Sequence, residues 1–373
     1  MKVLIVQRVL PKYRQDIFTE LNKEVKINVM YSQLKHASFL YEQKSKDDLF
    51  IKVPAYKFGK SNTAILQWPL KLIRKIKPEL IVCEASPSFL TLWLIIILKY
   101  FLSFKLALWG HGVKYNVSNP YLGFRGKLIK YLHKKADALL IYSRDRAEII
   151  RKFPMNCEKT FVASNTLNTN KLIDINNRLK KTDLKDFKIK NGFNKTYNLI
   201  FVGRLLENKG IDLMLEVFKL LNEDLDIALH IIGDGPQKNF VEHEAATSEN
   251  IHYHGQIYDE ELLSKYLFCS DLFVMLGYVG LSIIHAFAFS CPLITTYGPD
   301  HSPEIEYLKN DMNGRIVNNN IHDIRNTILE ILNNPQKLGE MQREAFDTIN
   351  SEASLENFIS GFKQLISYLD NEI

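Results

Sequence analysis

Short apolar segments alternate with amphipathic segments along almost the whole chain, and this alternation constrains the fold more than any other feature. Apolar runs typical of buried strands in the first half lie at Val3–Val6, Ile27–Tyr31, Leu80–Cys83, Leu106–Trp109 and Ala138–Tyr142. Apolar residues three and four apart, the spacing of amphipathic helices, lie at Ile17–Lys23, Ile65–Ile76 and Tyr121–Lys135. Strands separated by helices of this length predict parallel sheets built from βαβ units.

The second half repeats the same alternation after an interruption. Residues 168–195 are dense in Lys, Asn and Asp and poor in apolar periodicity, so we place a domain boundary there. Beyond it, strands are predicted at Tyr197–Val202, Ile227–Ile232, Ile251–His254, Leu272–Met275 and Leu293–Thr295. Helices are predicted at Gly210–Leu221 and Pro236–Ala246, from Gly280 onwards, and at Leu355–Leu369.

The length of 373 residues also favours two domains, because single hydrophobic cores stop growing at about 250–300 residues. We predict an α/β protein made of two Rossmann-like, doubly wound domains that face a cleft. The first covers residues 1–170 and the second covers residues 171–373, with the C-terminal helix packing back on the first domain. Ligands of such sheets bind at the carboxyl ends of the strands.

The composition excludes several classes of protein. With 46% hydrophobic and 24% charged residues, 17 Gly and 12 Pro, the chain is not disordered, collagen-like or a coiled coil. Its four cysteines, Cys83, Cys157, Cys269 and Cys291, form no CxxC pair and have no His at ligand spacing. We therefore expect no disulfide framework, no metal site and a reducing, cytoplasmic location.

The most apolar stretch, Phe89–Leu98, is too short to cross a membrane. Lys99 and Lys105 follow it, so no run of about 20 uncharged residues is present. We interpret it as a buried helix that leads into a strand at Lys105–Trp109. The apolar run after Lys2 is too short for a signal peptide and is taken as the first buried strand.

Charge is distributed unevenly between the two halves. Residues 1–170 hold 29 Lys and Arg against 12 Asp and Glu, a net charge of +17, whereas residues 171–373 hold 19 against 30, a net charge of −11. The basic residues cluster at Lys71, Arg74, Lys75 and Lys77 and again at Lys127, Lys130, Lys134 and Lys135. These clusters are either solvated helix faces or sites that attract anionic lipid or a phosphorylated acceptor. We expect no nucleic acid partner, because no nucleic-acid-binding motif accompanies the charge.

Three segments of the second half directly follow predicted strands and carry candidate ligand-binding residues. In the first, FVGRLLENKGID, Gly203 allows a sharp turn, and Arg204 and Lys209 lie at the mouth of the loop. Two cations five residues apart beside a helix N-terminus suit a diphosphate. The alternative is that both cations are ordinary solvated surface residues.

The second and third segments add glycines and a helix start. In IIGDGPQ, Gly233 permits close backbone approach, and Asp234 either contacts a ligand or caps the following helix. In GYVGLSIIHAFAFSCPLIT, a helix that begins near Gly280 would leave the N–H groups of Leu281 and Ser282 available to an anion. His285, three residues after Ser282, is either a ribose-binding imidazole or a core residue.

Together these segments resemble the retaining GT-B glycosyltransferases, in particular the bacterial glycosyltransferase family 4 (group 1), whose members use nucleotide-sugar donors. FVGRLLENKGID is similar to the VGR…KG element of that family, and IIGDGP to its GxGP turn. DLFVMLGYVGLSIIHAFAFSCPLITT is similar to its ExFGxxxxEAMAxGxPVI segment. The resemblance covers nearly the whole chain and is strongest in residues 197–315.

The resemblance implies roles for individual residues. Arg204 and Lys209 would bind the donor diphosphate and stabilise it as it leaves, since cationic compensation is the main catalytic contribution for such a leaving group. Gly280, Leu281 and Ser282 would offer backbone N–H groups to the same phosphates. No cofactor is expected, and the reaction is expected to be independent of metal ions. The remaining donor-binding candidates are Gly203, Gly233, Asp234, His285 and Glu304.

The sequence departs from the family pattern at its pair of glutamates, eight positions apart. These positions hold Gly277 and His285, and the first cannot contact the hydroxyl groups of a donor sugar. His285 can accept a hydrogen bond from the ribose in one tautomer. Glu304, in the HSPEI stretch, either contacts the sugar or favours a helix start.

The first half contributes further candidates by resemblance. His111 matches the family's His after a first-domain strand and would lie over the sugar or the acceptor, with the leaving phosphate as an alternative proton acceptor. Asn165 lies in a segment similar to the interdomain V-x-x-N-G, with Thr166 in place of Gly. The segment QRVLPKYRQ replaces the usual glycine-rich acceptor loop, and its cations are candidates for an anionic acceptor or for solvated surface: Arg8, Lys12 and Arg14.

Three functional hypotheses follow from the sequence. The first is a cytoplasmic hexosyltransferase, either free or peripheral on the inner face of the plasma membrane, that transfers a sugar to a glycan or lipid-linked glycan in cell-surface polysaccharide biosynthesis. The second is a catalytically decayed GT-B protein that binds nucleotide sugars as a scaffold, suggested by Gly277 and His285. The third is another enzyme of the same fold, such as a nucleotide-sugar epimerase.

Overall fold

The computed structural model of the chain describes residues 1–32, 49–58, 64–113, 119–298 and 301–371. Two compact units make up the chain. The first unit consists of Met1–Leu167 and the C-terminal segment that begins at Leu355, and the second unit consists of Asn168–Ser354. The chain therefore leaves the first unit after Leu167 and returns to it after Ser354.

The first unit is an α/β layer structure. Its strands are β1 (Val3–Val6), β2 (Ile27–Tyr31), β3 (Phe50–Lys52), β4 (Ala55–Phe58), β5 (Ala64–Gln67), β6 (Leu80–Glu84), β7 (Lys105–Gly110), β8 (Ala138–Ile141) and β9 (Thr160–Val162). Its helices are α1 (Lys12–Glu24), α2 (Leu70–Ile76), α3 (Leu90–Leu98), α4 (Gly123–Lys135), α5 (Arg144–Arg151) and α14 (Leu355–Asp370). Within the described residues, seven strands form a parallel sheet in the order β3-β2-β1-β6-β7-β8-β9, and β4 pairs with β5 antiparallel.

Trp109 on β7 is the centre of one face of this sheet. Its ring is fully buried and lies 5.7 Å from the ring of Phe18 on α1. It also lies 5.3 Å from Phe362 and 5.9 Å from Phe358, both on α14. Full burial of one such apolar side chain contributes about 1.5–3 kcal/mol. The C-terminal helix is therefore part of the core of the first unit.

The second unit is built in the same way. Its strands are β10 (Tyr197–Val202), β11 (Ile227–Ile232), β12 (Ile251–Tyr253), β13 (Leu272–Val274), β14 (Leu293–Thr296) and β15 (Gly314–Val317), all parallel, in the order β12-β11-β10-β13-β14-β15. Its helices are α6 (Thr169–Leu179), α7 (Lys185–Lys190), α8 (Ile211–Asn222), α9 (Lys238–Ala246), α10 (Glu260–Phe268), α11 (Ser282–Ala288), α12 (Ile321–Leu332) and α13 (Pro335–Ser351). The strand order reverses between β10 and β13, as it does between β1 and β6 of the first unit. Such reversals are where doubly wound sheets bind their ligands.

The structure confirms the predicted strands and the βαβ organisation, and corrects the predictions for several helices. The predicted helix Ile65–Ile76 is wrong in its first part, because Ala64–Gln67 form a strand and the helix begins at Leu70. Residues 168–195, which the sequence shows as poor in apolar periodicity, contain α6, whose buried positions follow helical spacing, and α7. The helix predicted from Pro236 begins at Lys238.

Three histidines of the second unit stack together in a position that the sequence does not reveal. Nδ1 of His230 lies 3.1 Å from Nε2 of His254, and the rings of His230 and His252 are 5.1 Å apart. Phe193 covers the other face of His230, with 3.8 Å between ring centroids. Burial, followed by the neighbouring imidazoles, lowers the pKa of His230 to about 2, so this ring is neutral in the folded protein at neutral pH. A cavity of about 650 Å³ beside His252 and His254 contains no predicted site residue in its lining.

Among the described residues, no helix combines the length and the apolar character that a membrane-spanning segment requires.

The contact of α14 with β9 gives a first testable prediction. A Cβ atom at Gly361 would lie 1.9 Å from the carbonyl oxygen of Val162, so Gly361→Ala must displace one of the two elements. We expect a loss of about 1–3 kcal/mol in the free energy of unfolding, measured by urea denaturation. Gly339→Ala is the matched control, because Gly339 lies in α13 with no atom within 4 Å of an added Cβ. That change should stabilise the protein by about 0.5–1 kcal/mol. Equal effects of the two substitutions would contradict this packing.

Candidate functional site

In the second unit, the loops after β10 and β11 are held together by backbone contacts. The N–H of Gly203 donates to the carbonyl of Ile232 at 3.0 Å, and the N–H of Leu205 donates to that of Asp234 at 2.9 Å. A Cβ atom at Gly233 would lie 1.8 Å from the carbonyl oxygen of Gly203. Glycine at position 233 is therefore required by the approach of the two loops, which fixes the backbone from which Arg204 projects.

Lys209 lies at the carboxyl ends of β10 and β13, where the strand order reverses. Its Nζ donates to the carbonyl oxygen of Tyr278 at 2.6 Å and lies 4.8 Å from the centre of the Tyr278 ring. Sδ of Met275 is 3.8 Å away. Burial lowers the pKa of Lys209 to about 8. The site thus contains a partly desolvated ammonium group whose charge a bound anion would stabilise.

The absence of a side chain at Gly277 allows this arrangement. The N–H of Tyr278 donates to the carbonyl of Asn208 at 2.8 Å, which brings the segment after β13 against the loop that carries Lys209. A Cβ atom at Gly277 would lie 2.3 Å from the carbonyl oxygen of Asn208 and 2.5 Å from the carbonyl carbon of Lys209. With the backbone in this conformation, a glutamate side chain has no room at position 277.

The other predicted donor-side residues lie at the same edge of the sheet. Arg204 and Asp234 are exposed, and a carboxylate oxygen of Asp234 accepts from the N–H of Gly235 at 2.9 Å. Asp234 does not cap α9, whose N-cap residue is Gln237. Gly280 precedes α11, which begins at Ser282 rather than at Gly280.

Leu281 is the N-cap residue of α11. The carbonyl of Gly280 accepts from the N–H of Ile283 at 3.2 Å, and that of Leu281 accepts from the N–H of Ile284 at 3.0 Å. Leu281 and Ser282 are both half-buried. The predicted contribution of these residues to anion binding stays a prediction.

His301 organises the segment that contains Glu304. Its Nδ1 accepts from the N–H of Val279 at 3.2 Å, and its Nε2 lies 3.1 Å from the carbonyl oxygen of Thr296. Because an N–H only donates and a carbonyl only accepts, these partners fix a neutral imidazole with its proton on Nε2. Glu304 follows in a short 3-10 turn and is 3% exposed.

His285 faces a carboxylate on a neighbouring helix. Its Nε2 is 3.8 Å from Oε1 of Glu260, which lies in the first turn of α10, and Lys171 forms an ion pair with the same carboxylate. The contact with His285 and then that with Lys171 lower the pKa of Glu260 to about 2. His285 is therefore not an ordinary core residue, because its polar edge is half-buried against an ionised group. No sequence pattern indicates Glu260 as a partner of His285.

In the first unit, the candidate residues follow the carboxyl ends of different strands of the same parallel sheet. Arg8, after β1, donates through Nε to Oε1 of Glu84 at 2.7 Å, and its backbone N–H donates to Oε2 at 3.0 Å. Asn165, after β9, is half-buried, and its N–H donates to the carbonyl of Tyr142 at 3.0 Å. Glu84 was not predicted, and it already engages the guanidinium of Arg8.

Arg14 is a buried cation rather than a surface one, which corrects its interpretation as an acceptor contact. It is 8% exposed and donates to the hydroxyl of Tyr142 at 2.7 Å and to the side-chain oxygen of Gln7. Its guanidinium carbon lies 4.6 Å from the centre of the Trp109 ring. The guanidinium therefore lies in the core, where it contacts residues of the sheet, and is not exposed to a ligand.

His111 follows β7 at the same edge. Its ring packs edge-on against Tyr142, with 5.0 Å between centroids. Although His111 is exposed, desolvation by the surrounding protein and then the charges of Arg146 and Arg14 lower its pKa to about 4. At neutral pH it is a neutral imidazole that can accept a hydrogen bond from a hydroxyl group.

No group of three or more His, Cys, Asp or Glu in the described part of the chain has a geometry that would hold a metal ion. Arg204 and Lys209 both lie in the segment after β10, and their predicted role in binding an anion stays a prediction.

Part of the second unit is similar to known glycosyltransferases. Residues 183–348 match the family model of glycosyl transferases group 1. An uncharacterized glycosyltransferase of Methanocaldococcus jannaschii is 28% identical over 280 residues, which cover 70% of this chain. The matched region spans 64% of the length of that relative.

Solved structures resemble the whole chain. A glycosyltransferase from Rickettsia africae has a TM-score of 0.74 at 18% identity, and each chain is covered to 99%. Anabaena HepE in complex with UDP has a TM-score of 0.69 at 14% identity, with 99% of this chain and 100% of that chain covered. HepE has also been solved with UDP-glucose. These likenesses establish a shared fold.

The predicted fold class is thereby confirmed: the chain has the GT-B glycosyltransferase fold, with parallel α/β sheets. The range that matches the glycosyl transferases group 1 model includes the loops around Arg204, Lys209 and Gly277.

The backbone contact at Gly277 gives a second testable prediction. Gly277→Ala places a methyl group against the backbone of Asn208 and Lys209, so we expect a loss of about 1–3 kcal/mol of stability. For a domain of this size, 1 kcal/mol lowers Tm by about 2–4 °C, which a thermal-shift assay detects. Gly280→Ala is the matched control, because its nearest atom would be Cε1 of Tyr278 at 3.8 Å. A protein that tolerates alanine at both positions would show that the loops do not need this contact.

Proposed function

We propose that the protein is a glycosyltransferase that moves a hexose from a nucleotide-diphosphate-sugar donor to a glycan or lipid-linked glycan acceptor. The observation that carries the proposal is the partly desolvated ammonium of Lys209, held by Tyr278 at the point where the strand order of the group 1 domain reverses. A diphosphate is the anion that suits such a cation together with Arg204, five residues away.

The donor class follows from the chemistry of the leaving group. Transfer breaks the bond between the anomeric carbon and the diphosphate, so negative charge develops on phosphate oxygens that Arg204 and Lys209 stabilise without a metal ion. The N–H groups of Gly280, Leu281 and Ser282 contribute to the same anion. The UDP and UDP-glucose bound by HepE, which shares the fold, support a nucleotide-sugar donor.

The remaining roles on the second unit concern the nucleotide and the sugar. Gly203, Gly233 and Asp234 line the nucleotide, and His285 accepts from a ribose hydroxyl. Glu304, which is 3% exposed, is assigned to the donor sugar by the resemblance alone. The other roles follow from the resemblance and from the position of each residue at or beside the carboxyl edge of the sheet.

On the first unit, His111 contacts the sugar or the acceptor as a neutral imidazole, and Arg8 and Asn165 lie on the acceptor side. The acceptor oxygen attacks the anomeric carbon with retention, and its proton passes to the leaving phosphate. We place the reaction in the cytoplasm, at the inner face of the plasma membrane, in the synthesis of cell-surface polysaccharide.

A second candidate function is a binding protein of the same fold that has lost catalysis. It is favoured by Gly277, which provides no side chain to a donor sugar and cannot be replaced by a larger residue without moving the loop of Lys209. Such a protein would bind nucleotide sugars without releasing nucleoside diphosphate. The intact pair of Arg204 and Lys209 favours the enzyme, because cations of this kind serve the leaving group.

A thermal-shift panel of nucleotide sugars and free nucleoside diphosphates tests the proposal. A ligand at 100 times its dissociation constant stabilises the folded state by about 2.7 kcal/mol, so one base family should raise Tm. The shift should be lost in Arg204→Ala and kept in Arg343→Ala, which removes an exposed cation from α13.

Two outcomes of the panel would overturn the proposal or its catalytic part. Absence of a shift with every ligand would contradict a nucleotide-sugar site. A shift without release of nucleoside diphosphate, in the presence of membrane extracts that supply acceptors, would favour the binding protein.

A further inference from the structure

One face of the first unit combines exposed aromatic side chains with basic residues on a helix that carries no Asp or Glu. Tyr100 and Phe101, directly after α3, are 68% and 78% exposed, and Phe124 and Tyr131 on α4 are 81% and 44% exposed. Monomeric soluble proteins rarely expose contiguous apolar patches of this kind without a partner. We call the four aromatic residues, together with Lys127, Lys130, Lys134 and Lys135, the aromatic–basic face.

Contacts on the structure show that α3 and α4 present this face together. Trp93 on α3 stacks on Tyr131 with 5.9 Å between ring centroids. Nζ of Lys135 donates to the hydroxyl of Tyr100 at 2.6 Å and lies 5.5 Å from the ring of Tyr131. Phe124, Tyr131 and Lys135 recur at spacings of seven and four residues, which places them in one stripe of the helix. At 1.5 Å per residue that stripe is about 16 Å long.

The charge on α4 has a single sign. The helix sequence GFRGKLIKYLHKK contains Arg125 and four lysines and no Asp or Glu. The nearest acidic residue in the sequence, Asp137, is engaged by Lys99, whose Nζ lies 2.7 Å from its Oδ1. This part of the first unit therefore offers cations that are not neutralised by carboxylates on the same helix.

We propose that the aromatic–basic face docks on the surface of an anionic lipid bilayer. Aromatic side chains favour the headgroup level of a membrane, and lysines extend their ammonium groups towards anionic headgroups while their stems remain on apolar surface. The face has the composition of an element that lies on the membrane and does not cross it. The contact is through lipid headgroups and is separate from the proposed donor site.

The positive charge of the face favours an anionic lipid surface over a second copy of the chain or a folded acidic protein. A second copy of the chain, packed symmetrically on the same face, would bring the four lysines of each copy against each other. A folded acidic partner would be better matched by arginines, whose planar groups bind carboxylates in pairs, whereas α4 carries mostly lysines, which act as mobile point charges. A diffuse anionic surface fits these lysines.

Co-sedimentation of the full chain with vesicles tests the proposal. Binding is expected to vesicles of phosphatidylcholine with 30% phosphatidylglycerol, roughly tenfold weaker in 0.5 M than in 0.1 M NaCl because salt screens the attraction, and weak to phosphatidylcholine alone. Lys127→Glu with Lys134→Glu, and separately Phe101→Ser with Phe124→Ser, should each weaken binding at least tenfold. All four side chains are exposed, so thermal unfolding should remain close to that of the unaltered chain.

Matched controls come from the second unit. Lys181→Glu with Lys185→Glu makes the same change of charge, and Ile189→Ser with Tyr258→Ser removes apolar side chains that are 76% and 61% exposed. Both pairs should leave vesicle binding unchanged. Equal loss in the test and control variants, or no binding to the anionic vesicles, would overturn the proposal.

Sedimentation equilibrium tests whether a second copy of the chain, rather than a lipid surface, binds the aromatic–basic face. If Phe101→Ser with Phe124→Ser lowered the molecular mass in solution, the face would be an interface between copies and the proposal would be wrong. The expected result is an unchanged mass. Vesicle binding needs no donor and no acceptor, so its absence would not contradict the proposed transfer reaction. In the same way, absence of a thermal shift with every nucleotide would not contradict the lipid-binding surface.

Discussion

The backbone contact between Gly277 and the loop of residues 208–210 is the constraint on which the rest of the candidate donor site depends. It brings the segment after β13 against the loop after β10, and so places the carbonyl and ring of Tyr278 over Lys209. The same contact explains why a carboxylate is absent from position 277, because its first carbon would overlap the backbone of Asn208. A feature that suggests decay in the sequence is therefore, in the structure, the condition that buries the ammonium group and lowers its pKa.

In the first unit, a buried arginine stabilises the carboxyl edge of the sheet. Arg14 lies beneath that edge between Gln7, Tyr142 and the ring of Trp109, and these hydrogen bonds hold the residue against which His111 packs. Two of the three nitrogens of the Arg14 guanidinium, Nη1 and Nη2, have acceptors, whereas its buried Nε has none. Arg14 thereby links the core to the exposed candidates at the edge of the sheet. The C-terminal helix completes the same core through Phe358 and Phe362. The last segment of the chain therefore stabilises the unit in which the chain begins.

The sequence predicted the strands, the βαβ order and the positions of the glycine-rich loops, because apolar runs and turn residues are local signals. The helix predicted over residues 65–76 was wrong in its first five positions, because the helix begins at Leu70 and the short strand Ala64–Gln67 has the same apolar character as a helix start. Partners distant in sequence could not be predicted: Glu260 opposite His285, Glu84 opposite Arg8, and His301 beneath Val279. Each pair depends on which strands, helices or loops become neighbours in the fold, and no residue pattern within one segment predicts that.

The central claim is that Lys209 is the half-buried cation that binds a diphosphate, and the pH dependence of nucleotide binding tests it most directly. The dissociation constant of the most stabilising nucleoside diphosphate would be measured by titration calorimetry between pH 7 and 9.5. Because binding favours the protonated form of a lysine whose pKa is about 8, affinity should be constant below that value and then fall by up to about tenfold per pH unit. Lys209→Arg, which stays protonated throughout, should bind with little dependence on pH. A flat profile in the unaltered chain, or the same slope in both proteins, would contradict the account.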